Sequence, residues 1–157
     1  MSDSKWERRA DVETVVEHCV QRWHGHLSTA NIVALARPKP GKKAGREVWA
    51  TIKIASPKEQ ILYSDDGEGI DYVLVVAKSV WSRLPNETRI ALVDHELCHA
   101  SGFDFESEKW TIRGHDIEEF GKVIERHGPW TETVRAFMET AQRIPLPQMT
   151  LDELAKA

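Results

Sequence analysis

Two imidazoles four residues apart, with a carboxylate directly after the first, are the groups in this chain best suited to chemistry: His95-Glu96-Leu97-Cys98-His99. On a helix, residues four apart lie one turn above each other, so both rings project from one face and can share one Zn2+. Glu96, offset by one residue, is placed to act on a metal-activated water without ligating the metal. A carboxylate in that position takes a proton from the water and later hands it to a leaving amine. The chemistry expected of such a set is zinc-dependent hydrolysis of a peptide bond, with Glu96 as general base.

A third ligand is needed, and the downstream sequence narrows the choice. Gly102 stands where a longer H-E-x-x-H-x-x-G-x-x-H pattern has its glycine, but Phe105 takes the next ligand position and has no donor atom. The next candidates lie in Gly114-His115-Asp116-Ile117-Glu118-Glu119-Phe120. His115 is favoured as the third imidazole; Glu118 or Glu119 is the alternative third ligand, as in zinc sites completed by a helical glutamate. Asp94 and Asp116 are candidates to hold the imidazole N–H groups, a partner that metal-bound histidines generally have. Arg126 and His127 are candidate oxyanion or substrate contacts, since developing negative charge needs a donor, although cations at a helix end account for them equally well.

The elements that must position these groups are legible as patterns. Pro85-Asn86 is a start signal, and Ile90, Val93, Leu97 and Ala100 form an apolar stripe at helical spacing that Gly102 ends, predicting a helix over Asn86 to Ala100. A second helix opened by His115, with Ile117, Phe120 and Ile124 inward, would bring the third ligand back to the metal. Asp11 to Trp23 reads as a first helix with Val12, Val16, Cys19 and Trp23 on one face, and Thr131 to Arg143 as a later one with Val134, Phe137, Met138 and Ala141 inward. Tyr72 to Ala77 is the best strand, preceded by candidates over Asn31 to Ala36 and Glu47 to Ile54. Gln60 to Tyr63 is a short strand or helix edge, and Ser101 to Arg113 a loop or strand returning the chain to His115. Asp65 to Gly69 is a turn. His24 and His26, beside Gly25, suit a helix terminus better than a second metal site.

At 157 residues, 41% of them hydrophobic, the chain is most simply one domain over 1–157, with 144–157 a candidate mobile tail. A formal charge of −4 gives no global reason to expect nucleic acid or lipid as a partner. Met1 to Arg9 is polar and unlike a signal peptide, and no apolar run approaches membrane-spanning length, so a cytoplasmic location is expected. Cys19 and Cys98 are too few for a disulfide framework and read as buried thiols. The loop from Arg37 to Arg46 concentrates Arg37, Lys39, Lys42, Lys43 and Arg46 with no acid; a solvated hairpin tip is favoured over a nucleic-acid contact.

The segments His95 to Ala100, Gly114-His115 and Glu119-Phe120 together resemble the SprT-like zinc proteases, Spartan among them. There an H-E-x-x-H helix is followed by a Gly-His-Gly-x-Glu-Phe-like segment supplying the third histidine. Here Asp116-Ile117-Glu118 makes that spacing one residue longer. From Trp23-His24-Gly25-His26-Leu27 to Arg126-His127-Gly128-Pro129-Trp130 the chain is more closely similar to the putative phage metallopeptidase family. Asp71 to Val76, Ala91 to His99 and Arg113 to Phe120 are the most specific pieces. The resemblance implies an α+β, minimal zincin-like fold: a small twisted β-sheet packed against the H-E-x-x-H helix, with helices around it. It also implies that Tyr72–Ala77 borders the cleft, where a peptide or protein substrate could add as a strand and touch Tyr72. Two other classes are compatible with the same residues: a non-hydrolytic zinc-stabilised interaction protein, and a DNA-associated protease of the SprT kind.

Overall fold

The computed structural model describes residues 5–65 and 68–144. They group into two compact units, the first ending at Gly114 and the second beginning at His115. The expected tail from residue 145 onward lies outside the described residues, as do two of the five positions of the acidic turn; its flanks Asp65 and Glu68 form an isolated antiparallel bridge.

The first unit is built on β6 (Tyr72–Ala77), every residue of which is buried. A strand hidden on both faces and both edges needs apolar side chains in both alternating sets, and Tyr-Val-Leu-Val-Val-Ala supplies them. One set, Tyr72, Leu74 and Val76, joins Ala34, Ala36, Ala50 and Ile52 under the helices; Val73 and Val75 join Val33, Leu35, Ala55 and Ile70 on the opposite face. The four-stranded mixed sheet runs β1 (Glu7–Arg8), β2 (Ile32–Arg37), β6, β5 (Ala50–Ile54). β2 lies parallel to β6, while β1 on β2 and β5 on β6 are antiparallel. β6 is therefore an interior strand with both edges already paired. A peptide cannot add to Tyr72–Ala77, and the expectation that it would is corrected: the outer strands of this sheet are β1 and β5.

Two helices cover the face that matters for chemistry. α1 (Ala10–Trp23) buries Val12, Val16 and Cys19, whereas Trp23, expected on the same stripe, is half exposed. α4 (Asn86–His99) matches the predicted helix and buries Val93, Glu96 and Leu97, with Ala100 just beyond its end. The core tryptophan is Trp81, at the end of the short α3 (Lys78–Trp81); its indole N–H donates to Asp11 at 3.1 Å and so ties α3 to the first turn of α1. After β5, α2 (Pro57–Leu62) is helical rather than strand. Ser56 and Glu59 form a reciprocal capping box, with Pro57 preset at its first position.

Two hairpins complete the unit. β3 (Gly41–Lys43) and β4 (Arg46–Val48) meet across Ala44-Gly45, both at positive φ, the turn geometry that matches the twist of a two-residue hairpin. The single run expected over Glu47 to Ile54 is thus broken at Trp49, between β4 and β5. The segment after α4 forms a second hairpin, β7 (Ala100–Asp104) and β8 (Lys109–Ile112), with an irregular register between Ala100 and Gly102. Gly102 has φ +99°, a backbone conformation that favours glycine, and a Cβ there would also crowd the His26 ring at 3.3 Å.

In the second unit, α5 spans Gly121–His127 and α6 spans Glu132–Arg143, the latter capped by the Thr131 hydroxyl. Residues 113–120 are not helical, so His115, Glu118 and Glu119 stand on an irregular connection with a bend at Asp116 and not on the helix predicted for them. Phe120 is 79% exposed and Phe137 51% exposed, so neither is core; Val134 is the buried residue of α6.

Candidate metal centre

His95 and His99 leave α4 one turn apart, with ring centroids 5.3 Å apart and planes at 82°. The connection after β8 is held against the end of that helix. The Arg113 N–H donates to the His99 carbonyl at 2.7 Å, its Nε to the Cys98 carbonyl at 2.9 Å, and its own carbonyl lies 2.7 Å from His99 Nδ1. A carbonyl can only accept, so in the neutral His99 ring the proton sits on Nδ1 and the lone pair on Nε2. That is the tautomer-fixing contact typical of a metal-binding histidine. His95 and His99 thus offer two ligand-capable imidazoles from one face of α4, and His115 is the first residue of the second unit. The partner of His99 Nδ1 is thus the Arg113 backbone carbonyl, and nothing in residues 114–120 as a sequence pattern announced it.

Glu96 is the one buried acid among the described residues, 7% exposed. Burial raises its carboxyl above the ordinary glutamate range, while the neighbouring His99 charge and a hydrogen bond from the Ile52 backbone on β5 pull it back. It therefore faces the edge of the sheet, around the helix from the exposed His95. Glu118 and Glu119 belong to no ligand-capable group among the described residues. Both Glu119 oxygens are engaged, accepting from the Phe120 N–H at 2.8 Å and the Trp130 indole at 2.9 Å.

Two other expectations, for Tyr72 and Cys98, are corrected. Tyr72 is fully buried, and its hydroxyl donates to the Thr111 carbonyl at 2.7 Å and accepts from the Gly102 N–H at 3.3 Å. It pins the β7–β8 hairpin to the sheet and offers nothing to a substrate. Arg126 and His127 lie exposed in the last turn of α5, where cations offset the helix dipole. Cys98 is exposed, not buried; Cys19 alone is the buried thiol, pushed up to about 11 by desolvation and the nearby Asp94 charge.

A second cluster went unread in the sequence. His24, Asp94 and Cys98 also bring ligand atoms within 4.8 Å of one another, with His24 Nε2 and Asp94 Oδ1 2.6 Å apart. The chain thus presents a His/Asp/Cys group able to coordinate a metal ion. The basic hairpin exposes Lys39, Lys42, Lys43 and Arg46, while Arg37 is half buried, its guanidinium 5.9 Å from the Trp6 ring centroid and packed on Gly41. No helix among the described residues is long and apolar enough to cross a membrane.

No curated protein and no solved structure matches the chain. One family model does, over residues 4–142, under the description "putative phage metallopeptidase". With nearly the whole chain matched, this protein belongs to that phage metallopeptidase family.

Proposed function

We propose that the chain is a zinc-dependent metallopeptidase in which His95, His99 and His115 hold the metal and Glu96 is the general base. Zinc in that set would polarise a scissile carbonyl and make a water nucleophilic near neutral pH. The observation that carries this reading is the pair of imidazoles one turn apart on α4, ring centroids 5.3 Å apart, beside a buried carboxylate; His115 would complete the donor set of an open zinc site. Arg113 holds His99 with its lone pair on Nε2, so no reorganisation of that ring precedes binding. Glu96, its proton affinity raised by burial, takes a proton from the attacking water and delivers it to the departing amine as the C–N bond breaks.

Glu96→Gln tests it, because the amide keeps the shape and loses the basicity. Zinc content equal to wild type is expected, with cleavage of a mixed peptide library lower by about 10²–10⁴-fold. Undiminished cleavage by that variant would exclude Glu96 as the base, whereas a zinc-loaded wild type that cleaves nothing would favour a zinc-stabilised interaction protein. Zinc retained by His115→Ala would transfer the third position to Glu118 or Glu119. The DNA-associated alternative draws support from the four exposed cations of the hairpin; it requires salt-sensitive DNA binding that disappears when Lys39, Lys42, Lys43 and Arg46 are neutralised.

A further inference from the structure

We infer that α4 carries a second, thiolate-containing cation site, made by His24, Asp94 and Cys98 and separate from the imidazole set. Asp94 and Cys98 are four apart, as His95 and His99 are, and each pair is displaced from the other by one residue, about 100° around the helix. The second pair therefore looks along a different face, toward the end of α1, where His24 closes that helix and is 6% exposed. Three chemically different donors, an imidazole, a carboxylate and a thiol, place ligand atoms within 4.8 Å of one another. Tetrahedral coordination of zinc or cobalt at ordinary bond lengths sets donors about 3.3–3.6 Å apart, so small side-chain adjustments suffice.

The chemistry of the set selects the ligand class. One thiolate and one carboxylate neutralise a divalent cation, and the sulfur favours zinc, cobalt or cadmium over magnesium or calcium. An ion can reach it. A recess of about 320 Å³ bordered by His24, His26, Cys98, Ala100, Ser101 and Arg113 opens beside it. Cys98 is the exposed thiol at its rim, whereas Cys19, buried with its thiol pushed up to about 11, is no competitor. The first centre, as proposed, would take its third imidazole from downstream of α4. This one takes its own from upstream, so a bound cation would clamp the end of α1 to α4 whether or not the protein is a peptidase.

Cobalt titration of metal-free full-length protein tests the site. Wild type is expected to bind a second equivalent of Co2+ whose uptake raises a near-ultraviolet thiolate-to-cobalt band. Cys98→Ser should lose that band and one equivalent, while a His95→Ala/His99→Ala variant should keep the band. As a second readout, Zn2+ should slow alkylation of Cys98 at least about tenfold in both wild type and the double histidine variant, as coordination withdraws the thiolate from attack. A single equivalent without the band overturns the site. So does a band that survives Cys98→Ser, and so does band or protection that vanishes in the double variant, because Cys98 would then belong to the first centre.

Discussion

The two faces of α4 differ in what supports them. On one, His95 is exposed and His99 half buried, and the neighbouring order comes from a backbone segment, Arg113, folded against the helix end. On the other, Asp94 meets a buried imidazole 2.6 Å away that belongs to a helix seventy residues earlier in the chain. The first face keeps both imidazoles accessible and the His99 ring oriented, as the proposed exchange of substrate at a metal would require. The second uses a charged side chain to join two packed helices, a contact whose loss is felt in stability. One helix can serve both because its core side, Val93 and Leu97, is fully buried and fixes the rotation of the whole element.

The largest effects should come from breaking the first face. His99→Ala removes a donor and the acceptor partnership of Arg113 together, so stoichiometric zinc should be lost and peptide cleavage should fall at least about 10²-fold, with the melting transition of the metal-free protein little changed. Leu97→Ala strikes both faces through their common support. A fully buried leucine truncated in a tight core costs about 2–5 kcal/mol, measurable as a lowered denaturant midpoint, and zinc affinity should weaken as well. Asp94→Ala should affect the second face alone. Leaving His24 buried without its acceptor costs about 1–3 kcal/mol in metal-free protein. If instead that variant matched His99→Ala in lost cleavage, the separation of the two faces would be wrong.

How much of this the sequence disclosed follows the range of the interactions. α4 and β6 were readable because their patterns are local: a capped apolar stripe in one, six apolar residues in the other. The sheet order was not. Whether β6 is interior depends on its parallel pairing with β2, forty positions away, which no periodicity encodes. The missing helix at His115 is a related case. Ile117, Phe120 and Ile124 have helical spacing, but Gly114 and Gly121 bracket the segment, and the β7–β8 hairpin delivers Arg113 in extended form to the end of α4. Tyr72 was misassigned because its hydroxyl is used across thirty to forty residues by Gly102 and Thr111. The His24, Asp94 and Cys98 group had one faint signal, an Asp and a Cys at the same spacing as the two histidines and one position earlier. Each residue alone has an ordinary explanation, and it takes the packing of α1 on α4 to unite them.

That packing is pinned at both ends of α1, which allows a last and smaller comparison. At its far end Asp11 is held by a two-point ion pair with Arg9, both contacts 2.8 Å, and by the Trp81 indole, and these interactions lower its carboxyl to about 2. The folded value lies below the unfolded one, so its stabilisation is fully present above about pH 4 and fades as the pH falls toward 2. Asp11 is partly solvated, and screening reduces the ion pair to a fraction of its nominal strength, so Asp11→Asn should cost no more than about 1 kcal/mol at neutral pH. The deficit relative to wild type should shrink in acid, as the native carboxylate protonates. The outer pin is therefore expected to matter less than His24–Asp94 at every pH where the latter is intact. Equal losses from Asp11→Asn and Asp94→Ala at pH 7 would show that α1 is held along its apolar stripe, with neither end privileged.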